Sequence, residues 1–343
     1  MTPTRALPSL VIVSLLLVPY TSTNLAQGTA SYATVAALPD VVDGQPLRDF
    51  AFDEVARRVY AASDRGLFWS DLNDARPAMK GPLFKKDLLR IEMAPDLGRL
   101  FYFTNNEIGY VDLRGASPTP VTLAVGRDWA TELVYEPVRQ EIYVATRTPK
   151  VLVFDARSGE RGAEVKVPGW WATSLEAVPG HVFMNVSNKN GLYEIDAATH
   201  VAKPWPIDGK LVTPAYLESD PSGRNLFAVY DQFIVAIDVA TAKVVGRVTT
   251  TAPPVVAFDP GTGLLVASWA NASRRNLILK AFRVDDSGLT EVAEMSNPSR
   301  GLLGLEPTSG GFLQKGSHSL LVWSTGQVSD IAGQSRARWS GWD

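Results

Sequence analysis

An all-β protein is predicted, built as a ring of four-stranded antiparallel sheets, and three observations predict it. A unit of strand, Asp/Glu-Pro-type turn, strand, polar turn and strand returns seven times along the chain. The third strand of the first six units closes at Asp71, Asp112, Asp155, Asp196, Asp238 and Asp285, in steps of 41, 43, 41, 42 and 47 residues, with Ser324 in that place in the seventh. Nowhere does a long helical period with caps persist. A period of this length is that of one propeller blade, so the units predict a seven-bladed β-propeller.

Residues 1–30 stand apart. Arg5 precedes the apolar run Leu10 to Val18, which Pro19 ends before a polar stretch with small residues. The run is short for a bilayer span, and a basic start, apolar core and small residues near Ala26 or Ala30 read as a secretory signal peptide. Residues 31–343 are then one mature domain, secreted or periplasmic, with no membrane span after the signal is removed. The chain has no cysteine, so disulfides, thiol catalysis and c-type haem attachment are excluded and stability comes from packing alone.

The segment Tyr32 to Leu38 reads as a lone strand that completes the seventh blade as its outer strand; Val328 to Ile331 is the alternative. The units then run in order. Their turns and second strands are FDEVARRVYAA (Phe52 to Ala62), APDLGRLFYFT (Ala94 to Thr104), YEPVRQEIYVA (Tyr135 to Ala145), VPGHVFMNV (Val178 to Val186), SDPSGRNLFAV (Ser219 to Val229), FDPGTGLLVAS (Phe258 to Ser268) and LEPTSGGFLQK (Leu305 to Lys315). Pro and Gly occupy the turns, where one fixes φ and the other admits positive φ, while β-branched and aromatic residues fill the strands. Outer strands follow most of the aspartates, as at Ala163 to Val167 and Lys243 to Val248. A single twisted sheet of this size leaves both faces uncovered, and stacking blades about an axis covers them.

The units resemble the YVTN-type repeats of seven-bladed propellers, a group close to WD40 and quinoprotein-amine-dehydrogenase-like propellers. The resemblance rests on Ile142-Tyr-Val-Ala145 with Val151-Leu-Val-Phe-Asp155, and on Leu226-Phe-Ala-Val229 with Ile234-Val-Ala-Ile-Asp238. It implies the fold far more than a function.

A formal charge of -3 without a basic run leaves no footprint for nucleic acid or an anionic membrane. In this architecture the loops leading into the innermost strands line one mouth of the channel. Aligned on the Pro of the first turn, the units place Glu92, Glu176 and Glu218 where others have small or apolar residues, and Asp49, Arg90, Glu132 and Tyr216 two residues earlier. Three carboxylates at one repeat position need hydrogen bonds, cations or water. They face a hydrated channel or pair with Arg90 and Arg127, or they make an oxygen-rich site for Ca²⁺ in the central channel, or they supply acid–base chemistry.

Trp-Ala-Thr occurs twice, from Trp129 and from Trp171, 42 positions apart. With Arg127, Asp128 and Trp170 these tryptophans either pack between blades or form a stacking platform for a small molecule, glycan or protein at one face. His181, His200 and His318 lack metal-ligand spacing, and there is no nucleophile elbow or P-loop. Asn185-Val-Ser187 and Asn271-Ala-Ser273 match the glycosylation sequon. The reading is an exported monomeric binding or scaffold module. The alternatives are a metal-dependent lactonase-like hydrolase or a polysaccharide lyase using the glutamates, and a structural subunit of a periplasmic redox complex.

Overall fold

The computed structural model describes residues 32–39, 41–42, 45–53, 55–74, 78–115, 118–126, 130–188, 191–207, 214–259, 263–270, 277–285, 288–297, 302–308, 311–316 and 319–325. The signal-peptide expectation, His318 and the Asn271 sequon fall outside them, as do Arg127, Asp128, Trp129 and the Val328 to Ile331 alternative. Among the described residues there are six four-stranded antiparallel sheets, one three-stranded sheet and a two-stranded ribbon, Val41–Val42 with Gln45–Pro46. No helix among them is long and apolar enough to cross a membrane.

Sheet 1 comprises Asp49–Asp53, Arg58–Ser63 and Gly66–Asp71. Sheet 2 comprises Arg90–Ala94, Arg99–Phe103, Glu107–Asp112 and Pro120–Val125. Sheet 3 follows as Ala130–Glu136, Glu141–Thr146, Lys150–Asp155 and Arg161–Lys166, and sheet 4 as Ala172–Val178, His181–Val186, Leu192–Asp196 and Val201–Pro204. Sheet 5 is Tyr216–Ser219, Asn225–Tyr230, Phe233–Asp238 and Lys243–Thr249. Sheet 6 is Val255–Asp259, Leu264–Ala270, Leu277–Asp285 and Gly288–Asn297. Sheet 7 takes Leu302–Thr308, Gly311–Gly316 and Ser319–Thr325, and its outer edge is the N-terminal strand Tyr32–Pro39, antiparallel to Ser319–Thr325. The strand expected to close the seventh unit therefore does so. First strands of consecutive sheets touch in order from sheet 1 to sheet 7, and that of sheet 7 touches that of sheet 1.

Each repeat aspartate ends its strand for a physical reason. Asp71, Asp112, Asp155, Asp196 and Asp238 each accept backbone N–H bonds from the turn that follows, for instance from Arg157 at 2.9 Å and Ser158 at 2.6 Å onto Asp155. These are Asx turns, in which a short carboxylate replaces the ladder where it stops. These bonds, with the Thr241 hydroxyl foremost at Asp238, favour the charged form and hold the Asp71, Asp155, Asp196 and Asp238 carboxyls below their ordinary range.

The core lies in the seams between sheets. In the second strand of sheet 3, Ile142 and Val144 pack toward sheet 2 while Tyr143 and Ala145 pack toward sheet 4. The third strand divides likewise, Leu152 and Phe154 one way, Val151 and Val153 the other. A strand alternates sides with period two, so burial on both faces demands the continuous apolar runs read from the sequence. Sheet 5 repeats the scheme, with Leu226 and Ala228 against sheet 4 and Phe227 and Val229 against sheet 6.

Sheet 1 corrects the expectation of four strands per unit. Its outer edge carries one isolated bridge, Trp69 to Lys80, and the segment that continues from it contributes a Leu83 N–H to Leu67 carbonyl bond at 2.7 Å and a Leu67 N–H to Phe84 carbonyl bond at 3.2 Å. Pro82 has no N–H to donate, so a regular ladder cannot form there. Asn185, in a sequon match, is 1% exposed and its amide donates to the Pro214 carbonyl, so this sequon is closed to glycosylation in the folded chain.

Candidate functional site

Every first strand is hydrogen-bonded on one side only, to the second strand of its own sheet. Its inner edge faces the middle of the ring, where unpaired N–H groups need acceptors. Side chains of the preceding sheet provide them. Asp49 Oδ2 accepts from Ile91 N–H at 2.9 Å and Glu92 Oε1 from Tyr135 N–H at 3.1 Å. Ser174 Oγ accepts from Leu217 N–H at 3.2 Å, and Glu176 Oε1 from the Ser219 hydroxyl at 2.6 Å. The Tyr216 hydroxyl accepts from Val256 N–H at 2.7 Å and donates to the Pro254 carbonyl at 3.1 Å, while Glu218 is bonded by the backbone of Phe258. The glutamates at the odd repeat position are thus staples from one sheet to the next.

Glu132 departs from this scheme. Its Oε1 takes the N–H of its own neighbour Leu133 at 3.3 Å, and the step to sheet 4 is made instead by the Thr131 hydroxyl on the Ala172 carbonyl at 3.2 Å. Glu132 acts electrostatically on Arg90, which also stands 3.6 Å from Asp49. Arg90 thus stands beside Asp49 and Glu132, whereas the pairing was expected of Glu92, Glu176 and Glu218.

Charge follows from this crowding. Burial pushes the Glu132 carboxyl up to about 7, opposed by Arg90 and reinforced by Asp49. Burial likewise raises Glu176, with Glu132 adding repulsion against the Ser219 hydrogen bond, and raises Glu218 well above the usual range, with Glu176 and then Glu92 adding to it. Glu132, foremost, and Asp49 hold the Arg90 guanidinium above its ordinary value. Glu132, Glu176 and Glu218 each keep some accessible surface, as fits side chains on the wall of a narrow passage. The linked groups Asp49, Arg90, Glu132, Glu176 and Glu218 combine hydrogen-bond acceptors with the three glutamate carboxyls that burial pushes up from their ordinary range.

Among the described residues no group of three or more carboxylate or imidazole side chains is gathered closely enough to hold a metal ion. Glu92, Glu176 and Glu218, for which a Ca²⁺ site was one of the alternatives, accept hydrogen bonds from neighbouring sheets.

The tryptophans sort differently from the glutamates. Trp170 is 59% exposed, and its ring lies 5.8 Å from that of half-buried Trp171 at an angle of 33°. Trp170 N–H donates to the Ser187 carbonyl at 3.3 Å and Ser187 N–H to the Trp171 carbonyl at 2.8 Å, which extends the ladder of sheet 4 past its strands and fixes the pair at the end where the first strands begin. Of the two alternatives for these tryptophans, packing between blades does not hold for exposed Trp170. His181 begins a strand and His200 lies in a turn, each beside a glutamate, Glu194 and Glu141.

No protein-family model and no curated protein matches the sequence. Solved structures do match the fold. The WD40 β-propeller domain of Doa1 superposes with a TM-score of 0.65 at 13% identity, covering 86% of this chain and 97% of that one. The structure of U3-55K superposes with a TM-score of 0.66 at 8% identity, covering 83% and 98%. The chain therefore has a WD40-like propeller fold, and identities this low carry the fold alone.

Proposed function

We propose that this chain is an exported seven-bladed β-propeller serving as a binding or scaffold module, with a protein partner held on the face where the first strands begin. One observation carries the reading: Trp170, an exposed large aromatic, is backed by Trp171 and locked by backbone hydrogen bonds. Rigid aromatics of this kind supply contact area at little entropic cost and are enriched at the centres of interfaces. The seven sheets whose first strands touch in cyclic order support the blade number. Export rests on Arg5 and the apolar run to Val18, together with the absence of cysteine.

The test is site-specific crosslinking. A photoreactive residue at Trp170 and one at Val201, exposed on the outer strand of sheet 4, are compared in the source cell's envelope. A partner captured from position 170 and not from 201 supports the reading; equal or no capture, with Trp fluorescence unmoved by the envelope fraction, sinks it.

An enzyme remains a second reading, favoured by Glu132, whose carboxyl titrates near neutrality beside Arg90. Groups so poised are suited to general acid–base work. A lactone and polysaccharide panel tests it, with Glu132→Gln as the control. Calorimetry with Ca²⁺ on the wild type, Glu176→Gln and Glu218→Gln tests the cation, and an absence of heat removes it.

A further inference from the structure

Glu132 is joined to the Trp170–Trp171 pair by an unbroken run of bonds. It follows Thr131, whose hydroxyl donates to the Ala172 carbonyl at 3.2 Å and links the first strand of sheet 3 to that of sheet 4. Ala172 follows Trp171, whose carbonyl accepts from Ser187 N–H at 2.8 Å, and the Ser187 carbonyl accepts from Trp170 N–H at 3.3 Å. Trp170 is exposed, so its seat is set by this backbone and not by core packing. A contiguous network of this kind is a physical route by which one group acts on another.

The charges around Glu132 are placed unevenly. Facing it among the described residues are Arg90 of sheet 2, Asp49 of sheet 1 and Glu176 of sheet 4. Its own hydrogen bonding is slight, since among the described residues Oε1 takes only the Leu133 N–H, at 3.3 Å. With its proton, Glu132 is neutral and these charges exert little force on it. Without the proton, the carboxylate is drawn toward Arg90, an attraction that Asp49 weakens without reversing, and is repelled by Glu176. Arg90 belongs to sheet 2 and Glu176 to sheet 4, so both forces draw the first strand of sheet 3 away from that of sheet 4. They act beside the point that the Thr131 hydroxyl bridges.

We propose that loss of the Glu132 proton loosens the seat of the Trp170–Trp171 pair, so that the partner face is ordered below neutrality and relaxed above it. The regulation rests on the reading of that pair as the binding platform; the link from Glu132 to the pair does not.

The experiment follows tryptophan emission of the whole mature chain, without a partner, from about pH 5 to about pH 9, a range that spans the titration. The signal of the pair is the difference between the chain and its Trp170→Phe, Trp171→Phe double variant. On raising pH this signal is expected to move to longer wavelength, with a midpoint near the Glu132 value of about 7. Glu132→Gln removes the titrating group and Thr131→Val the hydroxyl link, and each is expected to abolish the shift. A flat signal in the wild type, or a shift that survives either substitution, overturns the inference. If Glu132→Gln does not fold, Thr131→Val decides it. Because no partner is present, a flat signal leaves the binding reading standing, and a failure to capture a partner leaves the link from Glu132 standing. Where a partner is captured from position 170, capture is expected to fall severalfold between about pH 6 and about pH 8, and equal capture overturns the regulation.

Discussion

Glu92 of sheet 2 accepts a hydrogen bond from the backbone N–H of Tyr135 in sheet 3 at 3.1 Å, 43 positions later in the chain. The relation recurs from Asp49 to Ile91 and from Ser174 to Leu217, so the ring is held at its narrowest part by side-chain acceptors on edge-strand donors. Glu92→Ala removes such an acceptor and is expected to cost about 1 to 3 kcal/mol in urea denaturation, the penalty of a stranded donor. Glu92→Gln keeps an amide oxygen in place and is expected to cost less than half as much; equal losses would mean that charge and not hydrogen bonding matters there.

Stability should fall as pH rises through neutrality. Glu132, Glu176 and Glu218 have carboxyls raised from an ordinary value of 4.5, Glu132 to about 7. The folded chain therefore keeps protons that the unfolded chain has released, so their contribution is full below about 4.5 and is lost as pH climbs through the folded value. The lowered aspartates of the turns act in the opposite sense, present above their ordinary value of 3.8 and lost as pH falls below it. A maximum of the melting temperature near pH 4 to 5 is expected from this balance, with Glu132→Gln flattening the alkaline limb. A melting temperature higher at pH 8 than at pH 5 would contradict it.

The tryptophan platform makes a narrower prediction. Trp170 is exposed and closes no seam, so Trp170→Ala is expected to shift stability by less than about 0.5 kcal/mol while removing partner capture. A variant that unfolds would show that the ring is structural.

Much of this architecture was legible because it follows from local chemistry. Asp71, Asp112, Asp155, Asp196, Asp238 and Asp285 each end a third strand where the period placed them, since a turn needs an acceptor at that point whatever the fold. Runs such as Ile142 to Ala145 announced strands buried on both faces. The site was legible only as a set of odd residues. Glu92 and Glu218 stood out by type, but their acceptor role depends on the edge of the next sheet some 40 positions away, which no spacing within one unit reveals.

The closing strand offers an independent check of the ring. Tyr32–Pro39 supplies the outer strand of sheet 7, although its partners Ser319–Thr325 lie at the far end of the sequence. Removing residues 32–39 exposes a whole edge and unpairs its ladder. The truncated chain is expected to melt at least several degrees lower and to associate through the bared edge, seen as larger species by light scattering. Unchanged melting and a single small species would show that the ring does not depend on this strand.

Gly66 fixes the outer edge of sheet 1, where the Phe84 carbonyl approaches it closely, and its replacement tests that edge. At φ of 140° an L side chain is strained, and the added Cβ would meet a backbone oxygen, which cannot rotate away. Gly66→Ala is therefore expected to cost about 3 kcal/mol or more, above the common range for a single substitution, because two separate penalties fall on one atom. Hydrogen exchange localises the effect. The Leu67 amide, bonded to the Phe84 carbonyl at 3.2 Å, and the Leu83 amide, bonded to the Leu67 carbonyl at 2.7 Å, should lose protection first. The Tyr143 amide in sheet 3 should keep its protection, since it lies two seams away. Loss of protection spread evenly over both sheets would mean that residues 80–84 are not held to sheet 1 through this glycine.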